Sequence, residues 1–271
     1  MPVDHYENFP VASILLPKRL RRPVELIYQF ARQADDFADE GNFLAEIRIA
    51  RLASFASELD RIERGDPPML PLFRDLAQLI SEYHLPLGLF RDLLSAFTQD
   101  VTKSRYAHFG EVMDYCRRSA NPVGRLLLHL YGAAEKNNLL MADNICSSLQ
   151  LINFFQDVEI DFRKNRVYLP QDELARFGVA ESQISTRDAG PAWQALMHFQ
   201  IDRAHRMLLS GAPLGNALPG RIGLELRMIV LGGTRIIEKL RASHADIFSH
   251  RPQLKPLDWV GMFCRAALVM R

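Results

Sequence analysis

Arg32-Gln33-Ala34-Asp35-Asp36-Phe37-Ala38-Asp39-Glu40 and Gln150-Leu151-Ile152-Asn153-Phe154-Phe155-Gln156-Asp157-Val158-Glu159-Ile160-Asp161 decide how this chain reads. Each stretch carries D-x-x-x-D in an apolar, helix-forming context. On a helix, residues i and i+4 are neighbours, and like charges there repel by about 0.2–0.5 kcal/mol. The arrangement occurs twice, so something cationic is expected to offset that cost. Turned at about 100° per residue, Tyr28, Arg32, Asp35 and Asp39 fall within an arc of roughly 60°. Ile27, Phe30, Ala31, Ala34 and Ala38 form an adjoining apolar face. In the second stretch Gln150, Asn153, Asp157 and Asp161 share one stripe, and Leu149, Ile152, Phe155, Val158 and Ile160 spread around the rest. A helix that is apolar nearly all round is buried. Its polar stripe must then face a polar cavity or a ligand, because buried unpaired carboxylates are costly. One such acidic pair is usually an exposed helix face; two, each beside amide or basic residues, point to a site.

Hard oxygen donors without supporting thiolates or clustered imidazoles suggest Mg²⁺ and not zinc. Mg²⁺ takes one or two carboxylates and completes its shell with waters and substrate phosphates. Two acidic pairs facing each other across a helical cavity would therefore hold a diphosphate.

Helical periodicity dominates outside these stretches, with no convincing hairpin. Pro17 and Pro23 bracket a basic segment before the first long helix. Helices are expected over Ala45–Arg64, Pro71–Tyr83, Leu89–Asp100, Glu111–Ser119, Met141–Asp161, Trp193–Leu209 and Arg221–Phe248, with a short one after Pro170 and a loop from Ser210 to Pro219. Gly232-Gly233 inside the last of these costs about 1 kcal/mol per glycine. It reads equally as close helix approach or as room for a bulky chain. The expectation is an all-α fold, one domain spanning residues 1–271.

At 271 residues and 48% hydrophobic content, the chain can build a sizeable core. A net charge of +1 argues against a nucleic-acid partner. Lys18-Arg19-Leu20-Arg21-Arg22 reads as a solvated basic turn, with anionic lipid or diphosphate attraction as its functional alternatives. Cys116, Cys146 and Cys264 suggest neither a disulfide framework nor a zinc site. With no leader visible, the expected setting is cytoplasmic, peripheral at the inner membrane face. Trp259 to Arg271, apolar with two arginines, reads as a final core helix, with a surface-lying membrane contact as the alternative. His129, His198 and His205 invite a general-base role, but none has a partner at a demanding spacing.

In its ordered motifs the chain resembles the squalene/phytoene synthase family, from about Phe9 to about Trp259. Ile27-Tyr28-x-x-x-Arg32-x-x-Asp35-Asp36-x-x-Asp39-Glu40 is similar to the family's first aspartate-rich motif. Tyr115-Cys116-Arg117-Arg118-Ser119-Ala120-Asn121-Pro122-Val123-Gly124 is similar to its central helix signature. Gln150 through Asp161 is similar to the second aspartate-rich motif, and Arg163 through Pro170 continues as the family does.

The resemblance implies an all-α fold around one cavity and Mg²⁺-dependent ionisation of an allylic or cyclopropylcarbinyl diphosphate. It implies metal ligation by Asp35, Asp39, Asp157 and Asp161. Arg32 and Tyr28 should approach the diphosphate or the reacting carbons, and Gln150, Asn153 and Tyr115 should line the cavity. Arg166, Gln156, Phe30 and Phe154 are further substrate-binding candidates. Of these, Phe30 and Phe154, with Tyr28 and Tyr115, offer aromatic faces worth roughly 0.5–2 kcal/mol each to a carbocation.

Three departures favour the hopanoid-pathway branch, whose members convert presqualene diphosphate and water to hydroxysqualene and diphosphate. Glu7-Asn8-Phe9-Pro10-Val11-Ala12-Ser13 stands where many members have a serine-rich pattern. Gln156 stands where condensing members usually have arginine. Gly232-Gly233-Thr234-Arg235 stands where others often carry an aromatic residue. For the captured water, Asn153, Gln150 and Gln156 are the candidate positioning groups. Head-to-head condensation of two farnesyl or geranylgeranyl diphosphates stays open as the nearest alternative, and a non-catalytic assembly factor as a remoter one. Contact with other enzymes of the same pathway is a further expectation.

Overall fold

The computed structural model describes residues 16–249 and 251–268. The Glu7–Ser13 departure and the last residues of the C-terminal segment lie outside them. The described residues form thirteen helices and no strand. One isolated parallel bridge joins Arg105 to Val167.

The site rests on four long helices. α1 (Lys18–Asp39) carries the first acidic pair, and α7 (Lys136–Arg163) the second. α10 (Pro191–Gly211) and α12 (Gly220–Ala242) pack on α7. α2 (Ala45–Arg64), α3 (Pro71–Tyr83) and α4 (Leu87–Thr102) pack on α1. α5 (Phe109–Ser119) and α6 (Asn121–Tyr131) sit between the two groups. Short α8 (Gln171–Phe177), α9 (Glu181–Ser185) and α11 (Leu214–Ala217) fill connections, and α13 (Pro256–Leu268) closes over α12. The core is correspondingly in two clusters, one around α1–α4 and one around α7, α10 and α12. Tyr131 and Ile222 pack against both.

α7 is surrounded by α5, α6, α9, α10, α11 and α12. This is why its sequence is apolar almost all round and why its polar stripe is informative. At Gly211 α10 lies against the α7 backbone: a Cβ there would be 2.5 Å from the Met141 carbonyl oxygen and 3.0 Å from the Ile145 nitrogen. Backbone cannot yield as a side chain does, so Gly211→Ala is expected to cost about 2 kcal/mol by overpacking. That corresponds to a Tm lower by about 4–8 °C for a chain of this size, read by thermal unfolding.

Several local expectations are corrected. α1 begins at Lys18 and runs through Pro23. The ring forfeits one backbone bond near the helix start, while Leu20, Pro23, Val24 and Ile27 bury one face. The basic cluster is therefore a helical turn, and Arg22 pairs with Asp75 at 2.8 Å. The central signature is two helices. The chain bends at Ala120 (φ −111°, ψ −48°): α6 starts at Asn121, and Pro122 in its first turn has no N–H to donate back to the α5 carbonyls, so the two helices cannot run on as one. The last-third helix stops at Ala242, where His244 and Ala245 take positive φ. The Ser210–Pro219 loop contains α11.

Gly233 settles one open reading. A Cβ there would lie 2.9 Å from Leu149 and 3.0 Å from Leu208, so it serves close helix approach. α13 divides its faces: Met262 and Ala266 are buried, while Leu257, Val260 and Phe263 are exposed. No described helix is long and apolar enough to cross a membrane.

Candidate active site

A cavity of about 460 Å³ runs between α1 and α7, within the size range of small-molecule sites. Along α1 it is bordered from Val24 to Asp35, and along α7 from Ala142 to Asn153. Each span is twelve residues, so its ends lie about 16 Å apart at 1.5 Å per residue. Both helices present apolar residues first and polar residues last: Tyr28, Arg32 and Asp35 on α1, Gln150 and Asn153 on α7. The cavity is thus a largely apolar sleeve, in which Tyr131 and Glu225 are polar exceptions, with a polar end, and one helical turn further on stand Asp39 and Asp157.

The expected cation is supplied by the chain itself. Asp39 pairs with Arg166 at 2.6 Å and Lys164 at 3.1 Å. Asp157 receives Arg251 Nε at 2.6 Å and a second Arg251 nitrogen at 3.2 Å. Arg32 reaches Asp35 at 3.3 Å and Asp36 at 2.6 Å. Each acidic pair therefore holds one carboxylate tied to basic side chains, Asp39 or Asp157, and one under electrostatic pressure. Burial, then the charge of Asp39, pushes Asp35 up to about 7 against the pull of Arg32. Burial, then the charge of Asp157, pushes Asp161 up to about 7 against Arg166 and Lys164. Burial also acts upward on Asp39, but the Arg166 hydrogen bond and charge, with Lys164, hold it below the usual carboxylate range. Asp161 feels Asp39 as well, which places the two pairs within electrostatic reach of each other.

Among the described residues no three His, Cys, Asp or Glu side chains converge on one point. The acidic groups come as pairs of hard oxygen donors. That donor chemistry fits Mg²⁺, which uses one or two carboxylates and takes its remaining ligands from water and phosphate.

A carboxyl raised above its unfolded value of about 4 binds its proton more tightly when folded. The contribution of Asp35 and Asp161 is therefore fully present below about pH 4 and is lost as pH rises through about 7. A divalent cation competes with those protons. The metal-free Tm is expected to fall between about pH 5 and 8, while the Tm gain from Mg²⁺ with diphosphate grows. Thermal unfolding across that range checks it. A gain that does not change with pH would count against these two carboxyls as ligands. Asp39, with its lowered value, acts only in acid below this window.

Behind the polar end lies a network that sequence reasoning missed. Asp100 on α4 is buried and accepts hydrogen bonds from Tyr115 (2.6 Å) and Tyr168 (3.0 Å). Burial outweighs those bonds and raises Asp100 to about 6. Its carbonyl oxygen accepts Arg166 at 3.1 Å, linking the network to Asp39. Tyr168 stacks on Phe154 with centroids 3.8 Å apart.

The structure redistributes the sequence candidates. Tyr28, Arg32, Asp35, Gln150 and Asn153 border the cavity. Phe30 does not: it is fully buried among Phe55, Phe73 and Phe90, because the apolar face of α1 turns toward α2–α4. Tyr115 and Phe154 belong to the aromatic network and are not among the lining residues. Gln156 is buried and donates to the Pro252 carbonyl at 2.5 Å, so it anchors the α12–α13 connection and does not face the cavity. Phe97, missed from sequence, supplies an aromatic wall, and Cys146 lines the cavity as well. Arg251 was also missed; nothing in its local sequence marks it. Among the described residues no histidine borders the cavity, and His205 meets Arg241 instead.

Comparison with known proteins identifies the family. Residues 3–258 match the squalene/phytoene synthase family. A hydroxysqualene synthase of Rhodopseudomonas palustris is 35% identical over 94% of this chain and 85% of its own length. One of Zymomonas mobilis is 39% identical over 82% and 75%. The crystal structure of a squalene synthase from Alicyclobacillus acidocaldarius superposes with a TM-score of 0.82 at 33% identity, covering 89% of this chain and 90% of that one. An apolar sleeve between two helices, ending in paired aspartates, is thus found in a chain whose relatives bear these names: the protein belongs to the squalene/phytoene synthase family.

Proposed function

We propose that this protein converts presqualene diphosphate and water to hydroxysqualene and diphosphate, using Mg²⁺ held by Asp35, Asp39, Asp157 and Asp161. The observation that carries this reading is the polarity of the cavity: an apolar sleeve for prenyl chains, closed at one end by carboxylates and guanidinium groups. The names of the relatives at 31–39% identity support the choice of product. When bound, Mg²⁺ supplies Lewis-acid stabilisation of the departing diphosphate.

The chain's own residues do the rest. Arg32 stands at the polar end, where a guanidinium makes charge-assisted contacts to phosphate oxygens. Arg166, Lys164 and Arg251 keep the carboxylates neutralised before substrate arrives, and they exchange those contacts for phosphate oxygens when it binds. Tyr28 and Phe97 line the cavity, where aromatic rings stabilise a carbocation, and the mainly apolar wall excludes stray water. The substrate is water-insoluble and must come from a lipid phase. The exposed ridge of Leu257, Val260 and Phe263 on α13 is the surface we assign to that peripheral contact.

The test is substrate choice. Presqualene diphosphate and farnesyl diphosphate are offered separately with Mg²⁺, and extracted lipids are read by mass spectrometry. Hydroxysqualene from the first and no consumption of the second is expected. Formation of presqualene diphosphate or a C30 hydrocarbon from farnesyl diphosphate would identify a head-to-head condensing enzyme. No diphosphate release from any prenyl substrate would favour a non-catalytic role.

A further inference from the structure

We infer that Ser119 positions the water that captures the carbocation, and so decides that the product is an alcohol. The inference rests on the proposed hydration reaction and names a residue for it.

Ser119 is the last residue of α5, immediately before the bend at Ala120, and it borders the cavity. The wall that follows is Ala120, Val123, Gly124 and Leu127, with no other hydroxyl among them. Its Oγ is sealed from bulk solvent and finds no hydrogen-bond partner among the described residues. A helical serine ordinarily returns its hydroxyl to the carbonyl one turn earlier. Leaving a buried hydroxyl unsatisfied is costly, and such a group in a native structure calls for a ligand or a water to complete it.

Its level along the cavity follows from helix register. Ser147 donates to Asn121 at 2.8 Å, and Arg125 pairs with Asp143 at 2.6 Å, so α6 runs antiparallel to α7. Ser119, two residues before Asn121, therefore lies toward Gln150 and Asn153. That is the boundary between the apolar sleeve and the polar end, where a cation formed beside the diphosphate would sit.

Ser119 Oγ accepts a hydrogen bond from one water hydrogen and aims the water's lone pair at the cationic carbon. The C–O bond to diphosphate has already broken, and the new C–O bond forms from the water oxygen. The proton lost by that water passes to the released diphosphate, which becomes monoprotonated. No oxidant or reductant is consumed.

The test compares wild type, Ser119→Ala and Ser119→Thr with presqualene diphosphate and Mg²⁺, measuring hydroxysqualene formed per diphosphate released. Ser119→Ala is expected to lower that ratio by about tenfold, the scale of lost positioning, with dehydrated C30 hydrocarbon making up the difference. Ser119→Thr, which restores a hydroxyl, is expected to recover it. The Tm of Ser119→Ala should equal or exceed that of wild type, whereas a purely structural serine would lower it. An unchanged ratio in Ser119→Ala, or equal loss in Ser119→Thr, overturns the role of the hydroxyl while leaving the hydration reading intact. Absence of hydroxysqualene from wild type itself would overturn both.

Discussion

Asp157→Ala is expected to lower Mg²⁺-dependent diphosphate release by about 10³-fold, and Asp35→Ala by a similar factor. Loss of one carboxylate from a pair removes about 4 kcal/mol of transition-state stabilisation, the scale of metal electrostatics in such sites. The fold should survive both changes, since neither side chain is part of the core. In Asp157→Ala the repulsion that raises Asp161 is relieved, and Arg251 loses the carboxylate it bridges at 2.6 Å. Diphosphate release measured across a Mg²⁺ titration checks this. Near-normal release at saturating Mg²⁺, with an unchanged requirement for the ion, would remove Asp157 and Asp35 from the metal site.

Asp100→Ala should act mainly on stability. It strands two phenols, Tyr115 and Tyr168, whose hydroxyls now share one buried carboxyl. Each buried unsatisfied group costs about 1–3 kcal/mol, so a loss of about 4 kcal/mol and a Tm lower by about 8–16 °C are expected. Asp100→Asn keeps one acceptor oxygen and should cost roughly half as much. Thermal unfolding of the two variants separates this from a simple volume effect, in which they would differ little.

The parts of this fold that were legible in the sequence are those set by local patterning. Ala45–Arg64 and Pro71–Tyr83 are bounded by Gly65 and by Pro71, and their limits follow from those residues. The stripe of Gln150, Asn153, Asp157 and Asp161 was readable because the rest of α7 is apolar, and a buried helix can afford polar residues only at a site. Phe30 and Gln156 show where such reading stops. Phe30 lies close to Tyr28 in sequence, but 3.6 residues per turn carry it to the opposite wall, and which face meets the cavity is fixed only by the packing of α2–α4. Gln156 adjoins Asp157 yet points toward Pro252, a partner 96 residues away. Arg251 and Asp100 were invisible for the same reason: their roles come from long-range packing, and their own neighbourhoods carry no spacing signal. The end of the helix at Ser119 was readable as well, because Pro122 cannot continue it.

The central claim is that water, and no second prenyl group or hydride, ends the reaction in this cavity. Its most direct test is turnover of presqualene diphosphate with Mg²⁺ in ¹⁸O-water, with the extracted alcohol read by mass spectrometry. The account predicts hydroxysqualene carrying one ¹⁸O atom from solvent, formed in step with diphosphate. Unlabelled alcohol, or a C30 hydrocarbon with no alcohol, would contradict it.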